Sequence, residues 1–180
     1  VAFSDNKIYF IGREAQGQDP VMVQVYDPQS DAWEARTAPC EVGYYAGAVA
    51  LADRIFVFGG DDLVPANHHK DEVLVYYPAT DRWERGTPMP VARCGGAAAV
   101  WEDKIFVFGG QDNPPAGSNV YGAMKRVDVF DPATDRWTRA RDMAQQRLYL
   151  SAITVDDGIL LLSGCDTNAN PYDAAELYVP

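Results

Sequence analysis

The stretch Ile105-Phe106-Val107-Phe108-Gly109-Gly110 decides the fold, because it occurs more than once in the chain. The same four apolar residues and two glycines stand earlier, as Ile55-Phe56-Val57-Phe58-Gly59-Gly60. Looser copies, each with one glycine of the pair replaced, begin at Ile8 and at Ile159, and the spacing between neighbouring copies is nearly even. This recurrence predicts one structural unit that is used four times.

Two further landmarks recur in phase with the glycine pair. One is an aromatic residue at a turn that contains proline, and the other is an Asp-x-Trp triplet at the start of the next run. The copies are Tyr26-Asp27-Pro28 with Asp31-Ala32-Trp33, Tyr76-Tyr77-Pro78 with Asp81-Arg82-Trp83, Phe130-Asp131-Pro132 with Asp135-Arg136-Trp137, and Tyr178-Val179-Pro180 at the end.

Only one loop in each unit varies in length. The interval from Ile8 to Ile55 is shorter than that from Ile55 to Ile105, which is shorter than that from Ile105 to Ile159. The segments that follow the glycine pair, at 14–22, 61–72 and 111–126, lengthen by the same amounts, so the rest of each unit has a constant length. A constant frame with one variable loop is typical of a repeat whose loops carry the recognition function.

Composition and charge restrict the class of protein. The 180 residues are 47% apolar and 23% charged, which is typical of a globular domain. We expect no membrane contact, because no apolar run approaches the length of about 18 residues that a membrane helix needs. A formal net charge of −11 argues against nucleic acid as a partner. The cysteines, Cys40, Cys94 and Cys165, form no regular framework, so we expect reduced thiols and a cytoplasmic location.

The sequence pattern of each unit predicts four short strands. A run of small apolar residues such as 94–100 leads through a tight turn into the Ile-Phe-Val-Phe strand, which predicts a β-hairpin. This second strand is apolar on both faces and should be covered on both. Alternation in Val23-Gln24-Val25-Tyr26 and in Val127-Asp128-Val129-Phe130 predicts a half-exposed third strand, and the Trp opens the fourth. No stretch has a period of 3.6, so we predict an all-β protein.

These landmarks resemble the kelch repeat. The resemblance rests on the glycine pair, the aromatic residue and Trp at their offsets, and Met89-Pro90-Val91-Ala92-Arg93. It covers essentially the whole chain, with departures at Arg13, Gly43 and Ser163. It implies a kelch-type β-propeller with blades at about 1–42, 43–92, 93–146 and 147–180, the first and last partial. We expect an arc of about four four-stranded antiparallel blades from a larger ring, completed by blades or domains of the same polypeptide; a closed four-bladed ring is the alternative.

Hairpin geometry predicts where a binding face lies. The entry of the first strand and the exit of the second lie at the same end of a blade, so the variable loops share one face of the ring. We expect partner contacts there from Tyr44, Arg93, Arg147 and Tyr149, which precede or begin first strands. The loop residues expected on the same face are Arg13, Asp61, Asp62, His68, His69, Gln111, Asp112, Asn113, Tyr121, Asp166 and Asn168.

The resemblance to kelch adaptor proteins implies a protein-interaction module, as in substrate receptors of ubiquitin ligases. Arg93 and Arg147 would hold carboxylate or backbone groups of a partner peptide. The alternative role for these arginines is to bond neighbouring backbone carbonyl groups within the propeller.

A carbohydrate-acting kelch enzyme is the alternative function. In an epimerase or mutarotase, Asp61, Asp112 or Asp166 would carry the proton, whereas a copper radical oxidase would need Cys165, Tyr149, Tyr172 and His68 to converge. We predict no catalytic residues, cofactor or metal site. The only histidines, His68 and His69, are adjacent, and their side chains should point apart.

Overall fold

The computed structural model describes residues 1–13, 21–39, 42–62, 68–113 and 122–180, with Arg13 and Val21 described by their backbone alone. These residues form strands and turns and contain no helix, as the sequence predicts. Within the same ranges, no helix has the length and apolar character that crossing a membrane requires.

Four antiparallel sheets follow one another along the chain, each with its strands in sequence order. Blade 1 contains β1 (Ala2–Ser4), β2 (Lys7–Arg13), β3 (Val21–Asp27) and β4 (Ala32–Arg36). Blade 2 contains β5 (Gly47–Leu51), β6 (Arg54–Phe58), β7 (Val73–Tyr77) and β8 (Arg82–Arg85). Blade 3 contains β10 (Ala97–Trp101), β11 (Lys104–Phe108), β13 (Val127–Asp131) and β14 (Arg136–Arg139), with a small ribbon of β9 (Arg93–Cys94) and β12 (Gln111–Asp112). Blade 4 contains β15 (Leu148–Val155), β16 (Gly158–Cys165) and β17 (Glu176–Tyr178).

The blades form a four-blade kelch-type propeller arrangement. The first strands, β1, β5, β10 and β15, lie side by side in consecutive blades. Their small side chains, which include Ala48, Ala98 and Ala152, line an open groove of about 560 Å³. Small residues fit here because the inner strands of radially arranged sheets approach one another most closely.

The second strand of each inner blade is buried on both faces, which confirms the prediction. In β6, Ile55 and Val57 pack toward blade 1, whereas Phe56 and Phe58 pack toward blade 3. Phe106 and Phe108 of β11 pack toward blade 4 in the same way. Because successive side chains of a strand point to opposite faces, one four-residue apolar run contributes to two inter-blade cores.

The prediction of a half-exposed third strand is wrong for blade 3. All of Val127, Asp128, Val129 and Phe130 are buried, and Asp128 has no exposed surface. The Asp128 carboxylate accepts hydrogen bonds from Arg93 and from Arg126, and these cations compensate for its burial. In blade 1 the alternation does mark exposure, because Met22 and Gln24 of β3 are exposed while Val23 and Val25 are buried.

The Asp-x-Trp triplets of blades 2 and 3 each bond their blade to the blade before it. Trp83 donates from Nε1 to the Thr37 carbonyl oxygen at 2.8 Å, and Trp137 donates to the Thr87 carbonyl oxygen at 3.0 Å. The triplet aspartates accept from the same threonines, as Asp81 does from Thr37 Oγ1 at 2.8 Å. Within the described residues Trp33 makes no such bond to an earlier blade and is 57% exposed.

The hydrogen bonds that Asp81 accepts make the stability of the protein depend on pH. Burial opposes ionisation of Asp81, but hydrogen bonds from Tyr76 and Thr37 outweigh it and hold the pKa below its usual value of 3.8. The stabilisation is therefore fully present above about pH 4, the unfolded-state value, and is lost as the pH falls through the folded-state pKa.

We expect Asp81→Asn to lower the free energy of unfolding by about 1 kcal/mol at pH 7, with a smaller difference from wild type at pH 3. Urea titrations at both pH values measure this, with the exposed Asp53→Asn as the matched control. An Asp81→Asn difference that stays constant between the two pH values would contradict this role for the carboxylate.

Candidate functional site

The described loop residues that follow the second strands of blades 2, 3 and 4 lie at one end of the blades, which we call the loop rim. His69 lies in the loop of blade 2 and Asn113 in the loop of blade 3; Asn113 accepts from His69 N at 2.9 Å and donates to the His69 carbonyl oxygen at 3.1 Å. In the next pair of blades, Ala123 N donates to Thr167 Oγ1 at 3.0 Å. Neighbouring loops therefore meet at one rim, as the hairpin geometry predicts.

Arg93 lies at the loop rim but does not point outward. Only 2% of its surface is accessible, and its guanidinium donates to the Gly109 carbonyl oxygen at 3.2 Å and to the Asp128 carboxylate. Burial lowers the pKa of Arg93, and the Asp128 charge opposes this effect. The expectation that Arg93 meets a partner disagrees with this geometry.

Arg147 has the same structural role in blade 4. It is 1% exposed and donates to the Ser163 carbonyl oxygen at 2.6 Å and to the Ala174 carbonyl oxygen at 2.9 Å. Its guanidinium lies over the Tyr172 ring, 4.9 Å from the centroid. This burial leaves Arg147 almost no surface for the expected partner contact, and its bonds match the alternative role, bonding to backbone carbonyl groups.

Among the described residues, Tyr45 and Tyr149 present exposed aromatic surface at the loop rim, and we call them the tyrosine pair. Their rings are 5.4 Å apart between centroids, and the residues are 57% and 51% exposed. They are repeat-equivalent to Gly95, which lies between them: Gly95 N donates to the Tyr45 carbonyl oxygen and Tyr149 N donates to the Gly95 carbonyl oxygen. Both tyrosines have a left-handed backbone, with φ of 58° and 56°.

Sequence reasoning named Tyr149 but chose Tyr44 instead of Tyr45. Tyr44 is only half-buried, and its N and carbonyl oxygen are both bonded to Asp61 backbone groups at 2.8 Å. The alignment of Tyr45 with Gly95 and Tyr149 could have identified the pair, because all three stand two residues after Gly43, Arg93 and Arg147 respectively.

A second feature of the loop rim is a cleft of about 260 Å³, which we call the acidic cleft. His68 Nδ1, which is exposed, lies 3.9 Å from Asp62 Oδ2, and Lys70 pairs with Asp62 at 2.7 Å and with Glu72 at 3.3 Å. The lining contains three carboxylates and one lysine. It comprises Asp62, His68, His69, Lys70, Asp71, Glu72, Ala92 and Asn113.

A third feature is the Asp-His-Cys cluster of Asp61, His69 and Cys94, which is buried. His69 Nδ1 lies 2.6 Å from Asp61 Oδ2, and His69 Nε2 lies 3.8 Å from Cys94 Sγ. Burial and, to a smaller extent, the Asp61 charge raise the pKa of Cys94 to about 12, so this thiol is protonated at neutral pH. Sequence reasoning missed the cluster because it considered His69 only together with His68.

The other predicted residues have diverse surroundings. Gln111 and Asp112 form β12, and Asp112 Oδ1 accepts from Gly122 N at 3.2 Å. Asp166 accepts hydrogen bonds from the Asn170 side chain, Asn170 N and Asn168 N within its own turn, and these bonds lower its pKa. Asn168 is exposed. Tyr121 and the side chain of Arg13 lie outside the described residues.

Fold and repeat together define the class of protein, a kelch-type β-propeller. Residues 1–179 match the family model described as the KLHDC2/KLHL20/DRC7 Kelch-repeats domain, so the chain belongs to this kelch family. Among solved structures it is similar to the one titled "Structure of YjhT", with a TM-score of 0.74 and 16% identity. That match covers 88% of this chain and 49% of the other, so this chain spans about half its length. No curated protein matches.

If Arg93 is structural, removing it must destabilise the protein. We expect Arg93→Ala to lower the free energy of unfolding by about 3–5 kcal/mol, because Asp128 would remain buried with one cation fewer. The double variant Arg93→Ala/Asp128→Ala should lose less than the sum of the single variants.

Guanidinium chloride titrations measure both effects. Arg82→Ala is the matched control, because Arg82 is exposed and should change stability by no more than about 0.5 kcal/mol. Wild-type stability in Arg93→Ala would contradict the structural role.

Proposed function

We propose that this chain is a protein-interaction module that binds a peptide segment of a partner at the loop rim. The tyrosine pair is the main contact, and the acidic cleft is the second. A role as a cytoplasmic adaptor, including substrate recognition for a ubiquitin ligase, is part of the same proposal. Membership of a kelch family supports the general function, because such propellers serve protein interaction.

The tyrosine pair is the observation that carries the proposal. Two tyrosines from blades 2 and 4 are held in contact across Gly95 by consecutive backbone hydrogen bonds. Each has an unfavourable left-handed φ and still leaves half its surface exposed. Strain of this kind costs about 1–3 kcal/mol per residue and concentrates at functional sites. Tyrosine is also enriched among the residues that dominate binding energy at protein interfaces.

The acidic cleft suggests the chemistry of the partner. Its three carboxylates exceed the charge of Lys70, and the chain as a whole carries −11. A peptide with an apolar or aromatic side chain for the tyrosine pair and a nearby Lys or Arg for the cleft fits both features.

The carbohydrate-enzyme alternative has less support. A proton carrier needs a carboxylate that is poised to exchange a proton with the substrate. Asp61 is bonded to His69, Asp112 to the Gly122 backbone, and Asp166 to its own turn. The lowered pKa of Asp166 also opposes such a role.

The proposal is tested by selecting peptides from a displayed random library on the wild-type chain and measuring their affinities for variants. We expect Tyr45→Ala and Tyr149→Ala each to weaken the selected peptides at least about tenfold, which corresponds to about 1.4 kcal/mol. Trp33→Ala is the matched control, because Trp33 is as exposed as Tyr45 but lies at the opposite end of its blade.

A charge reversal in the acidic cleft is a second test of the proposed peptide site. Asp62→Lys should weaken basic peptides and leave the melting temperature close to that of wild type. Selected peptides that bind both tyrosine variants with wild-type affinity, or that lose affinity only in Trp33→Ala, would overturn the proposed site.

A further inference from the structure

The Asp-His-Cys cluster brings together three metal-ligand types from separate parts of the chain. Asp61 follows the glycine pair of blade 2, His69 lies at the end of the loop of that blade, and Cys94 ends the short strand that leads into blade 3. One donor atom from each residue can be chosen so that all lie within 4.8 Å of one another, and all three residues are buried. Of these three residues, only His69 also lines the acidic cleft.

Hydrogen bonding sets the orientation and tautomer of His69. An ionised Asp61 carboxylate only accepts, and in that case the proton of the 2.6 Å contact lies on His69 Nδ1 and is donated to Asp61 Oδ2. In the neutral ring the lone pair of Nε2 then faces Cys94 Sγ, 3.8 Å away. This is the arrangement of a histidine that ligates a metal through one nitrogen while a carboxylate holds the other.

The spacing between the two donors fits zinc. Zn–S and Zn–N bonds are about 2.3 Å and about 2.05 Å, so an ion bound to atoms 3.8 Å apart has an S–Zn–N angle of about 120°, close to tetrahedral. A Cys94 thiol that donates to Nε2 in a buried hydrogen-bonded triad would show a similar contact, and metal titration separates the two arrangements.

We propose that His69 Nε2 and Cys94 Sγ bind one Zn²⁺ ion, with Asp61 as the outer carboxylate that holds the imidazole. Binding forms the Zn–N and Zn–S bonds and breaks the Cys94 S–H bond, and this proton passes to solvent. Water completes the coordination. The site joins the loop of blade 2 to the entry of blade 3, so the ion would fix the loop rim between these two blades. This inference does not depend on the proposed peptide binding.

The test uses the whole chain with Cys40→Ser and Cys165→Ser, which leaves Cys94 as its only thiol. Calorimetric titration with Zn²⁺ should show one ion per chain, and buffers of different ionisation enthalpy should reveal the released proton. Co²⁺ in place of Zn²⁺ should give the near-ultraviolet charge-transfer band of a cobalt–thiolate bond. Adding Cys94→Ser or His69→Gln should abolish stoichiometric binding, and Asp61→Asn should weaken it about 10–100-fold.

His68→Gln is the matched control, because His68 is the exposed neighbour of His69 and should leave binding unchanged. Circular dichroism checks that each variant is folded. If Cys94→Ser or His69→Gln fails to fold, the cobalt band in the single-thiol protein and its loss on addition of excess Zn²⁺ decide the question alone. Absence of stoichiometric Zn²⁺ binding, or equal binding by folded Cys94→Ser, would overturn the proposal and leave the cluster as a buried hydrogen-bonded triad.

Discussion

The rest of the structure depends on a joint between each glycine pair and the arginine that begins the next blade. Gly60 N donates to the Arg93 carbonyl oxygen at 2.9 Å, and Gly110 N donates to the Arg147 carbonyl oxygen at 2.8 Å. A Cβ atom on Gly59 or Gly109 would overlap those same carbonyl oxygens, and both glycines have a left-handed φ. Only glycine lets the backbones of consecutive blades approach this closely.

This joint determines which groups remain available at the loop rim. The backbone of each arginine bonds to the preceding blade. The Arg93 side chain bonds the Gly109 carbonyl oxygen and the Arg147 side chain bonds the Ser163 carbonyl oxygen, each within the arginine's own blade. Both guanidinium groups are therefore bonded within the propeller, although they lie at the loop rim. The peptide contacts that we propose are therefore the tyrosine pair and the acidic cleft between neighbouring loops.

The repeat itself was predictable from sequence, because glycine pairs, Asp-x-Trp triplets and apolar strands are local patterns whose period can be counted. Side-chain direction was less predictable. Alternation in 127–130 predicted exposure of Asp128, yet Arg93 from a distant segment pairs with it inside the protein. The Asp-His-Cys cluster was missed for the same reason, since its three residues meet only after two blades have packed together. Local sequence patterns determine the strands of each blade, whereas pairing between residues of different blades determines which polar groups are buried.

The glycine joint is tested most directly by the free energy of unfolding of Gly109→Ala beside Gly12→Ala. Gly12 is the matched control, because a Cβ atom there meets nothing within 4 Å and its φ is not left-handed. We expect Gly109→Ala to cost more than about 2 kcal/mol, since a left-handed backbone alone costs about 1–2 kcal/mol and the overlap with the Arg147 carbonyl oxygen adds to it. Gly12→Ala should be neutral or slightly stabilising. Equal stability of the two variants would contradict the account.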